Sequence, residues 1–455
     1  MATIDQSAAT NSIEQATIRK ISRRFMPVII LAYFVAYIDR VNIGMMKPEL
    51  SADIGLTDIT FGLASGLIFI GLIFFEIPSN SLAWRFGARR WIVRVMLSWG
   101  VVVIAGSLIQ TPGQLYLMRI MLGLAEAGMA PAVFLFLAQW FPGRHRARAL
   151  SAFYLSVPIA LACGSPLTGW LLEIMHGTVG IAGWRWVLVI EGVAAIAIAP
   201  VVLRRLSDRP SAANWLTQHE RDWLESALAS EDTHRAEHSV SSFRRSLIDK
   251  QVWLFAVTYL LLGYGTNALV YWMPSIVSAA TVHAPPLQVG LISAIPFACA
   301  GVGIYLVGRI AERTRARLWN MLAPVLLSVL GFGAAWLLGG HRVLAIVMLC
   351  VALTGALAAQ PQFWTMPTAY MRGAAAAGGI ALINSVNNIG GFAGPYSFGW
   401  LKQASPSGST SLAFLVITAA QLLAVGCILI AYRSTAGRAL RASVDDGVES
   451  PVPAS

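Results

Sequence analysis

Twelve apolar runs, each long enough to cross a lipid bilayer as a helix, are the feature that most restricts what this chain can form. A membrane-spanning helix needs about 20 predominantly apolar residues, so a chain of 455 residues has room for about a dozen such helices and their connecting turns. We predict spans at 26–46, 61–83, 91–110, 115–140, 149–175, 186–203, 253–277, 289–310, 321–338, 343–370, 378–401 and 412–432.

The composition excludes a soluble domain, because 56% of the residues are hydrophobic, only 12% are charged and the mean hydropathy is +0.65. The net charge of +11 is compatible with a nucleic-acid-binding protein, but such a protein concentrates its basic residues on one soluble face. Here the basic residues form short clusters between apolar runs. We therefore expect the chain to lie in a lipid bilayer and to bind no nucleic acid.

The basic residues also predict how the chain is threaded, because most of them fall in every second loop. Only four, Lys47, Arg185, Arg342 and Lys402, fall in loops on the other side. Loops rich in Lys and Arg remain in the cytoplasm. We therefore predict a multi-pass inner-membrane protein with both termini in the cytoplasm.

A long polar stretch between the sixth and seventh spans divides the chain into two sets of six. The segment 80–85 after the second span resembles the segment 308–313 after the eighth, as expected for duplicated halves. The predicted fold is an all-α membrane protein with twelve transmembrane helices in two six-helix bundles. Its parts are an N-terminal cytoplasmic segment 1–25, a bundle 26–206, a cytoplasmic linker 207–250, a second bundle 251–432 and a cytoplasmic tail 433–455.

Four ionisable residues stand out inside predicted spans. Asp39 and Arg40 lie in the first span, and Arg119 and Glu126 lie in the fourth. A charged side chain at the centre of a bilayer costs roughly 2.5–3.5 kcal/mol, so such residues are candidates for function. Arg119 and Glu126 are about two helical turns apart, so both project from one helix face, which we expect to line the interior of the bundle.

These charges allow two interpretations. Opposite charges can simply neutralise each other and hold two helices together, and Asp39 fits this structural role best. Alternatively, Arg40 and Arg119 face a water-filled cavity, where their guanidinium groups suit a substrate carboxylate. In that case Glu126 or Asp39 alternates between a protonated and a paired form, and both are candidate proton-coupling residues.

Polar and aromatic residues at helical spacing add candidate substrate contacts. Each also has a structural explanation, since tyrosines near span ends anchor helices at the membrane interface and single asparagines hydrogen-bond to neighbouring helices. Besides Arg40 and Arg119, the candidates for substrate binding are Tyr37 in the first span, Asn267 and Tyr271 in the seventh, Trp364 in the tenth, and Asn384 and Asn387 in the eleventh.

The sequence contains no Walker A motif, no HExxH or GxSxG motif and no Cys/His metal cluster. We therefore expect no enzymatic activity, no cofactor and no metal, and an ion gradient rather than ATP as the energy source. The expected partners are a small organic anion and protons, and we expect a monomer.

Several segments together resemble the major facilitator superfamily, and within it the anion:cation symporter family of bacterial tartrate, hexuronate, galactonate and hydroxyphenylacetate permeases, which is related to sialin and vesicular glutamate transporters. The resemblance implies that Arg40 and Arg119 form an anion site. It also implies that Asp39 and Glu126 are proton-coupling acids and that Asn384 contacts substrate. The segments are YIDRVNIG (37–44), EIPSN to RFGARRW (76–91), RIMLGLAEAGMAPAV (119–133), WFP followed by RARA (140–149) and GWRWVLVIEG (183–192).

These observations predict a transporter that imports an organic carboxylate together with protons by alternating access. Sugar acids, tartrate-like diacids and aromatic acids remain open as substrates. One alternative is a proton antiporter that exports amphipathic compounds, although two intramembrane arginines disfavour cationic drugs. A second alternative is a transporter-like sensor that binds an anion and signals through its cytoplasmic loop.

The predicted topology can be tested with reporter fusions. A phosphatase that is active only in the periplasm should remain inactive when fused within the linker 207–250, because the basic clusters keep that side in the cytoplasm. The matched fusion is placed in the opposite loop near Arg185 and should be active. Strong phosphatase activity from the linker fusion would contradict the topology.

Overall fold

The computed structural model of the protein describes most of the chain. Two predicted segments are only partly covered, because residues 237–247 of the linker and residues 435–455 of the tail lie outside the described residues. The described ranges are 2–236, 248–281, 284–314, 317–338, 341–371, 373–405 and 408–434.

Within these ranges the chain forms fifteen α-helices and no β-strand. We call the part from α1 to α7 the N-half and the part from α9 to α15 the C-half, with α8 between them. The helices are α1 (Ala2–Ile54), α2 (Asp58–Phe86), α3 (Ala88–Gly106), α4 (Pro112–Glu126), α5 (Met129–Trp140), α6 (Gly143–Met175), α7 (Gly183–Arg205), α8 (Gln218–Ala236), α9 (Lys250–Ala280), α10 (Pro286–Thr314), α11 (Arg317–Leu337), α12 (Arg342–Phe363), α13 (Thr365–Tyr370), α14 (Gly373–Ala404) and α15 (Ser411–Arg433).

The helices make twelve crossings. Ten stretches of the described chain are long and apolar enough to cross a membrane, and two of these are interrupted crossings formed by α4 with α5 and by α12 with α13. The other two crossings are α3 and α14. Helix α3 carries Arg89, Arg90 and Arg94 near its start, and α14 is rich in Gly and contains three Asn residues, so neither has an apolar stretch as long as those of the ten.

Helix α1 begins well before the apolar run predicted at 26–46, because its polar N-terminal part packs against the linker. The Lys20 ammonium lies 2.6 Å from the Glu220 carboxylate of α8, and the Arg24 guanidinium lies 4.9 Å from the centre of the Trp215 ring. Burial raises the pKa of Glu220, but the hydrogen bonds that its carboxylate accepts outweigh this effect, so its pKa lies below the usual range. The first crossing and the start of the linker are thus joined outside the membrane.

The two halves meet along three helix pairs, α1 with α9, α2 with α14, and α6 with α10. Two glycines allow α2 to touch the backbone of α14. A Cβ atom on Gly62 would lie 2.5 Å from the Pro395 carbonyl oxygen, and one on Gly66 would lie 2.7 Å from the Phe392 carbonyl oxygen. Any larger residue would therefore push the halves apart.

Three charged residues close the contact at the end of the bundle where α1 ends, which we call the opposite end. Asp58 of α2 forms ion pairs with Lys47 of α1 and, at 3.0 Å, with Lys402 of α14 in the other half. The two ammonium groups lie 4.3 and 5.3 Å from the centre of the Trp272 ring. We call Lys47, Asp58 and Lys402 the latch, because the three residues join the two halves.

Asp58 is the only acid of the latch, so its replacement tests whether the latch holds the two halves together. Asp58→Asn leaves two ammonium groups facing each other, which should favour separation of the halves at this end by about 1 kcal/mol, or roughly fivefold in population. The measurement is the distance distribution between spin labels at the exposed positions Ala52 and Ala404, in a variant whose four native cysteines are replaced. We expect a longer-distance population to increase.

The matched control is Asp53→Asn. Asp53 also binds an arginine at the opposite end, with the Arg185 Nη2 atom 2.9 Å from its Oδ2 atom, but both residues belong to the N-half. This substitution should leave the distance distribution unchanged. Equal effects of the two substitutions would show that the latch does not control closure.

Candidate functional site

An ion pair connects the first and fourth crossings in the interior of the N-half. The Arg40 Nη2 atom lies 3.1 Å from the Glu126 Oε2 atom, and the guanidinium group lies 4.8 Å from the centre of the Tyr37 ring. The Glu126 side chain is nearly fully buried, whereas 23% of the Arg40 side chain is exposed. The structure thus brings together three of the predicted site residues.

Arg119 lies deeper in the protein and is only 2% exposed. Its Nε atom donates a hydrogen bond to the Ala64 carbonyl oxygen at 3.2 Å, and its guanidinium group lies 6.0 Å from the centre of the Tyr271 ring. In the part of the chain that the structure describes, no ion pair joins Arg119 to a carboxylate. A buried cation without an ion-paired acid is costly, so this site is suited to an anion from outside the chain.

Several polar atoms around these residues are buried without a hydrogen-bond partner among the described residues. They are the Arg40 Nε, Arg119 Nη2, Glu126 Oε1 and Tyr271 hydroxyl groups. A buried polar group that lacks a partner costs about 1–3 kcal/mol, so a ligand or ordered water that supplied partners at this site would be stabilised. The Tyr271 hydroxyl is within electrostatic range of both arginines, so the unpaired groups of the two halves converge.

A break in the fourth crossing positions Glu126. Helix α4 ends at Glu126, and Gly128 has φ +90°, a conformation that favours glycine, before α5 begins. The Ala127 carbonyl group at the break accepts a hydrogen bond from Ser79 at 2.6 Å, and Ser79 in turn accepts one from the Trp91 indole at 2.8 Å. The sequence Glu-Ala-Gly (126–128) thus ends α4 at Glu126, the residue that pairs with Arg40.

The Asp39 side chain points in a different direction from that of its neighbour Arg40, because successive side chains are rotated by about 100° around the helix axis. It is 2% exposed and accepts hydrogen bonds from Asn42 at 3.0 Å and from the Trp99 indole of α3. Its carboxyl group lies beside that of Glu191 of α7, because both groups accept a hydrogen bond from the Asn42 Nδ2 atom. Asp39 therefore lies inside the N-half, among α1, α3 and α7.

Glu191 is a buried acid that the sequence prediction overlooked. It lies in the predicted sixth span at 186–203 and in the segment GWRWVLVIEG, so the intramembrane-charge criterion that selected Asp39 also selects it. The Asn42 amide donates a hydrogen bond to each of the two carboxyl groups. Asn42 was likewise not predicted. Its position one helical turn after Asp39 was the signal that could have identified it.

The predicted residues of the C-half lie in two groups. The Asn267 amide donates to the Gly263 carbonyl oxygen of its own helix at 2.9 Å, and Asn387 of α14 packs directly against Gly263. Trp364 packs instead in an aromatic group, with its ring centre 5.2 Å from that of Tyr259. Asn384 is half-buried one turn before Asn387 on α14.

Tyrosines from both halves lie near Tyr37, whose ring packs against the Arg40 guanidinium group. Tyr154 of α6 is 53% exposed and lies within electrostatic range of Tyr37 and of Tyr259 on α9. Tyr33 packs on Tyr37 at 5.0 Å. Of these four residues only Tyr37 was predicted, because aromatic residues in spans more often pack against helices or anchor them at the interface.

The Major Facilitator Superfamily profile matches residues 29–395 of the chain. A protein of Agrobacterium vitis named "Putative tartrate transporter" is 38% identical over 428 residues, which are 93% of this chain and 93% of that protein. A protein of Acinetobacter baumannii named "Quinolone resistance transporter" is 36% identical over 406 residues, or 89% of this chain and 92% of the relative.

Solved structures show the same fold. A bacterial homologue of the human lysosomal transporter Spinster, in an inward-facing and occupied conformation, matches with a TM-score of 0.71 at 17% identity. The match covers 90% of this chain and 96% of that chain. The predicted all-α fold with twelve transmembrane helices is therefore confirmed.

Proposed function

Because the chain belongs to the major facilitator superfamily, we propose that it is a proton-coupled symporter that imports an organic carboxylate by alternating access. Membership of the family makes it a multi-pass membrane transporter rather than an enzyme. The observation that most directly supports a carboxylate substrate is Arg119, a buried guanidinium group without an ion-paired acid among the described residues.

The proposed substrate site consists of Arg119, Arg40 and Tyr271. A guanidinium group presents paired N–H donors in a fixed plane, which matches the two oxygens of a carboxylate. The Tyr271 hydroxyl adds a neutral donor from the C-half, so a bound carboxylate would contact both halves. Asn267, Asn384, Asn387, Tyr37 and Trp364 are proposed to contact the rest of the substrate.

Proton coupling is proposed to run through the Arg40–Glu126 pair. A substrate carboxylate that binds Arg40 competes with Glu126 for the same N–H donors. Glu126 is buried, so it would be left as an unpaired charge unless it took up a proton. Carboxylate binding and protonation of Glu126 therefore favour each other, and Asp39 is the alternative proton-coupling residue.

The substrate class is proposed from the charges and the relatives. Two guanidinium groups suit a molecule with two carboxylates, and the Agrobacterium vitis relative is named for tartrate. A tartrate-like diacid is therefore our first choice among the sugar acids, diacids and aromatic acids. Export of amphipathic compounds is the second candidate, favoured by the name of the Acinetobacter baumannii relative, and drug-susceptibility assays on cells with and without the gene distinguish the two.

The orientation follows from the distribution of basic residues. We propose an inner-membrane monomer whose two termini and linker face the cytoplasm, as the loops rich in Lys and Arg favour. The latch then faces the periplasm, and the site is closed to that side while Asp58 joins the halves.

Arg119→Lys tests the carboxylate site. Lysine keeps the charge but cannot offer two N–H donors in one plane, so the Kd for tartrate should rise about tenfold or more, equivalent to losing one charge-assisted hydrogen bond of about 1.5–3 kcal/mol. The measurement is isothermal titration of the purified protein with tartrate. Arg185→Lys, an arginine at the opposite end of the same half, is the matched control. Unchanged affinity in a folded Arg119→Lys protein would assign Arg119 a structural role.

Glu126→Gln tests the coupling role. Glutamine resembles the protonated acid, so the variant should still exchange labelled for unlabelled tartrate across a proteoliposome membrane, because exchange needs no net proton movement. It should lose accumulation driven by an imposed pH gradient. Glu173→Gln, an exposed acid on α6, is the control and should keep both activities. Gradient-driven accumulation by the Glu126→Gln protein would transfer the coupling role to Asp39.

A further inference from the structure

Asp39 and Glu191 form a pair of buried carboxyl groups from α1 and α7. The Asn42 Nδ2 atom donates a hydrogen bond to each of them, so the two carboxyl groups lie side by side. Asp39 is 2% exposed and Glu191 is 6% exposed. Two carboxylates side by side at such a depth repel each other, so binding of one proton by the pair is favoured.

The hydrogen bonds indicate which residue carries the proton. Both oxygens of Asp39 accept hydrogen bonds, one from Asn42 and one from Trp99, as an ionised carboxylate does. Glu191 accepts one from Asn42 through Oε2, while its buried Oε1 atom has no donor among the described residues. A proton on Glu191 would satisfy this group, because Glu191 could then donate a hydrogen bond to Asp39.

The charged groups that face the pair come from one other helix. Helix α4 contributes Arg119 and Glu126, both within electrostatic range of Asp39. Helix α3 contributes the neutral indole of Trp99. Neither arginine of the proposed anion site forms an ion pair with Asp39 or Glu191, since Arg40 pairs with Glu126 and Arg119 has no ion pair among the described residues.

We propose that Asp39 and Glu191 form a second proton-binding site, separate from Glu126, in which the two carboxyl groups share one proton held by Glu191. The site opens on a narrow cavity between α1, α4 and α7, which is also lined by Asn42 and Arg119 and has room for about one water molecule. A water molecule in this cavity would lie against Asp39 and could exchange a proton with the pair.

Arg119 connects this site to transport, a step that rests on the proposed function. Arg119 attracts the negative charge of Asp39 from one side and would bind the substrate carboxylate on the other. A bound carboxylate offsets part of the arginine charge, so the pair loses part of the attraction that favours its ionised form. Substrate binding should therefore increase occupancy of the shared proton.

The first experiment needs no substrate. Infrared spectra of the full-length protein in liposomes are recorded as a function of pH, and the protonated-carboxyl band is identified by its shift on deuteration. The wild-type-minus-Glu191→Gln difference should contain one such band. Glu49→Gln is the matched control, because Glu49 also bridges α1 and α7 but accepts hydrogen bonds from the Trp184 backbone and from His176. Its difference spectrum should lack the band.

A second variant keeps the proposal testable if the Glu191→Gln protein does not fold. Asp39→Asn leaves Glu191 beside a neutral amide, so the band should shift in frequency or disappear. A protonated-carboxyl band that is the same in the wild type and in a folded Glu191→Gln or Asp39→Asn protein would overturn the proposal.

The second experiment adds tartrate. Proton uptake per tartrate bound is measured with a pH indicator in weakly buffered solution, and it should be lower for Glu191→Gln than for the wild type. Loss of the infrared band with unaltered tartrate-linked proton uptake would overturn the connection through Arg119. If the wild type itself binds no carboxylate, the proposed function fails, and the infrared result still decides whether the shared proton exists.

Discussion

A positive charge buried in a membrane-spanning bundle needs a negative partner, and the N-half is arranged around this requirement. Arg40 has a partner in Glu126, whereas Arg119 has none at ion-pair distance in the described part of the chain. The asymmetry distinguishes a charge that the protein neutralises itself from the one that is proposed to bind the substrate carboxylate. The break after α4, the approach of α2 and the position of Tyr271 all serve to enclose these two groups.

The two halves contribute different chemistry to the space between them. Three acids and two arginines in the interior of the crossings, Asp39, Arg40, Arg119, Glu126 and Glu191, belong to the N-half. In the described C-half, charged residues lie near helix ends, and the interior contacts are made by Tyr, Trp and Asn side chains. A substrate would therefore be held by charge on one side and by neutral donors on the other. Neutral contacts are weaker than contacts between charges, so the contacts of the C-half with a substrate would be the easier ones to break.

The fold could be predicted from the sequence because a spanning helix requires a long apolar run, whatever its neighbours are. The pairing of charges could not, because it depends on the rotation of each helix about its axis. Asp39 and Arg40 are adjacent in the chain, yet one meets α7 and the other meets α4. Lys47 and Lys402 were informative for topology as loop residues, but nothing in the sequence indicates that they share Asp58 across the two halves.

The latch has a consequence for the surroundings in which the transporter works. Its ion pairs are partly exposed, with 23% of the Asp58 side chain accessible to water. Dissolved salt weakens attraction between such charges, and the screening length falls from about 30 Å at 0.01 M to about 8 Å at 0.15 M ionic strength. If the halves separate at the opposite end, as alternating access requires, the balance between closed and open forms would depend on the ionic strength of the compartment that this end faces. A cell moving from fresh water to saline medium would alter how readily this transporter presents its site, before any substrate arrives.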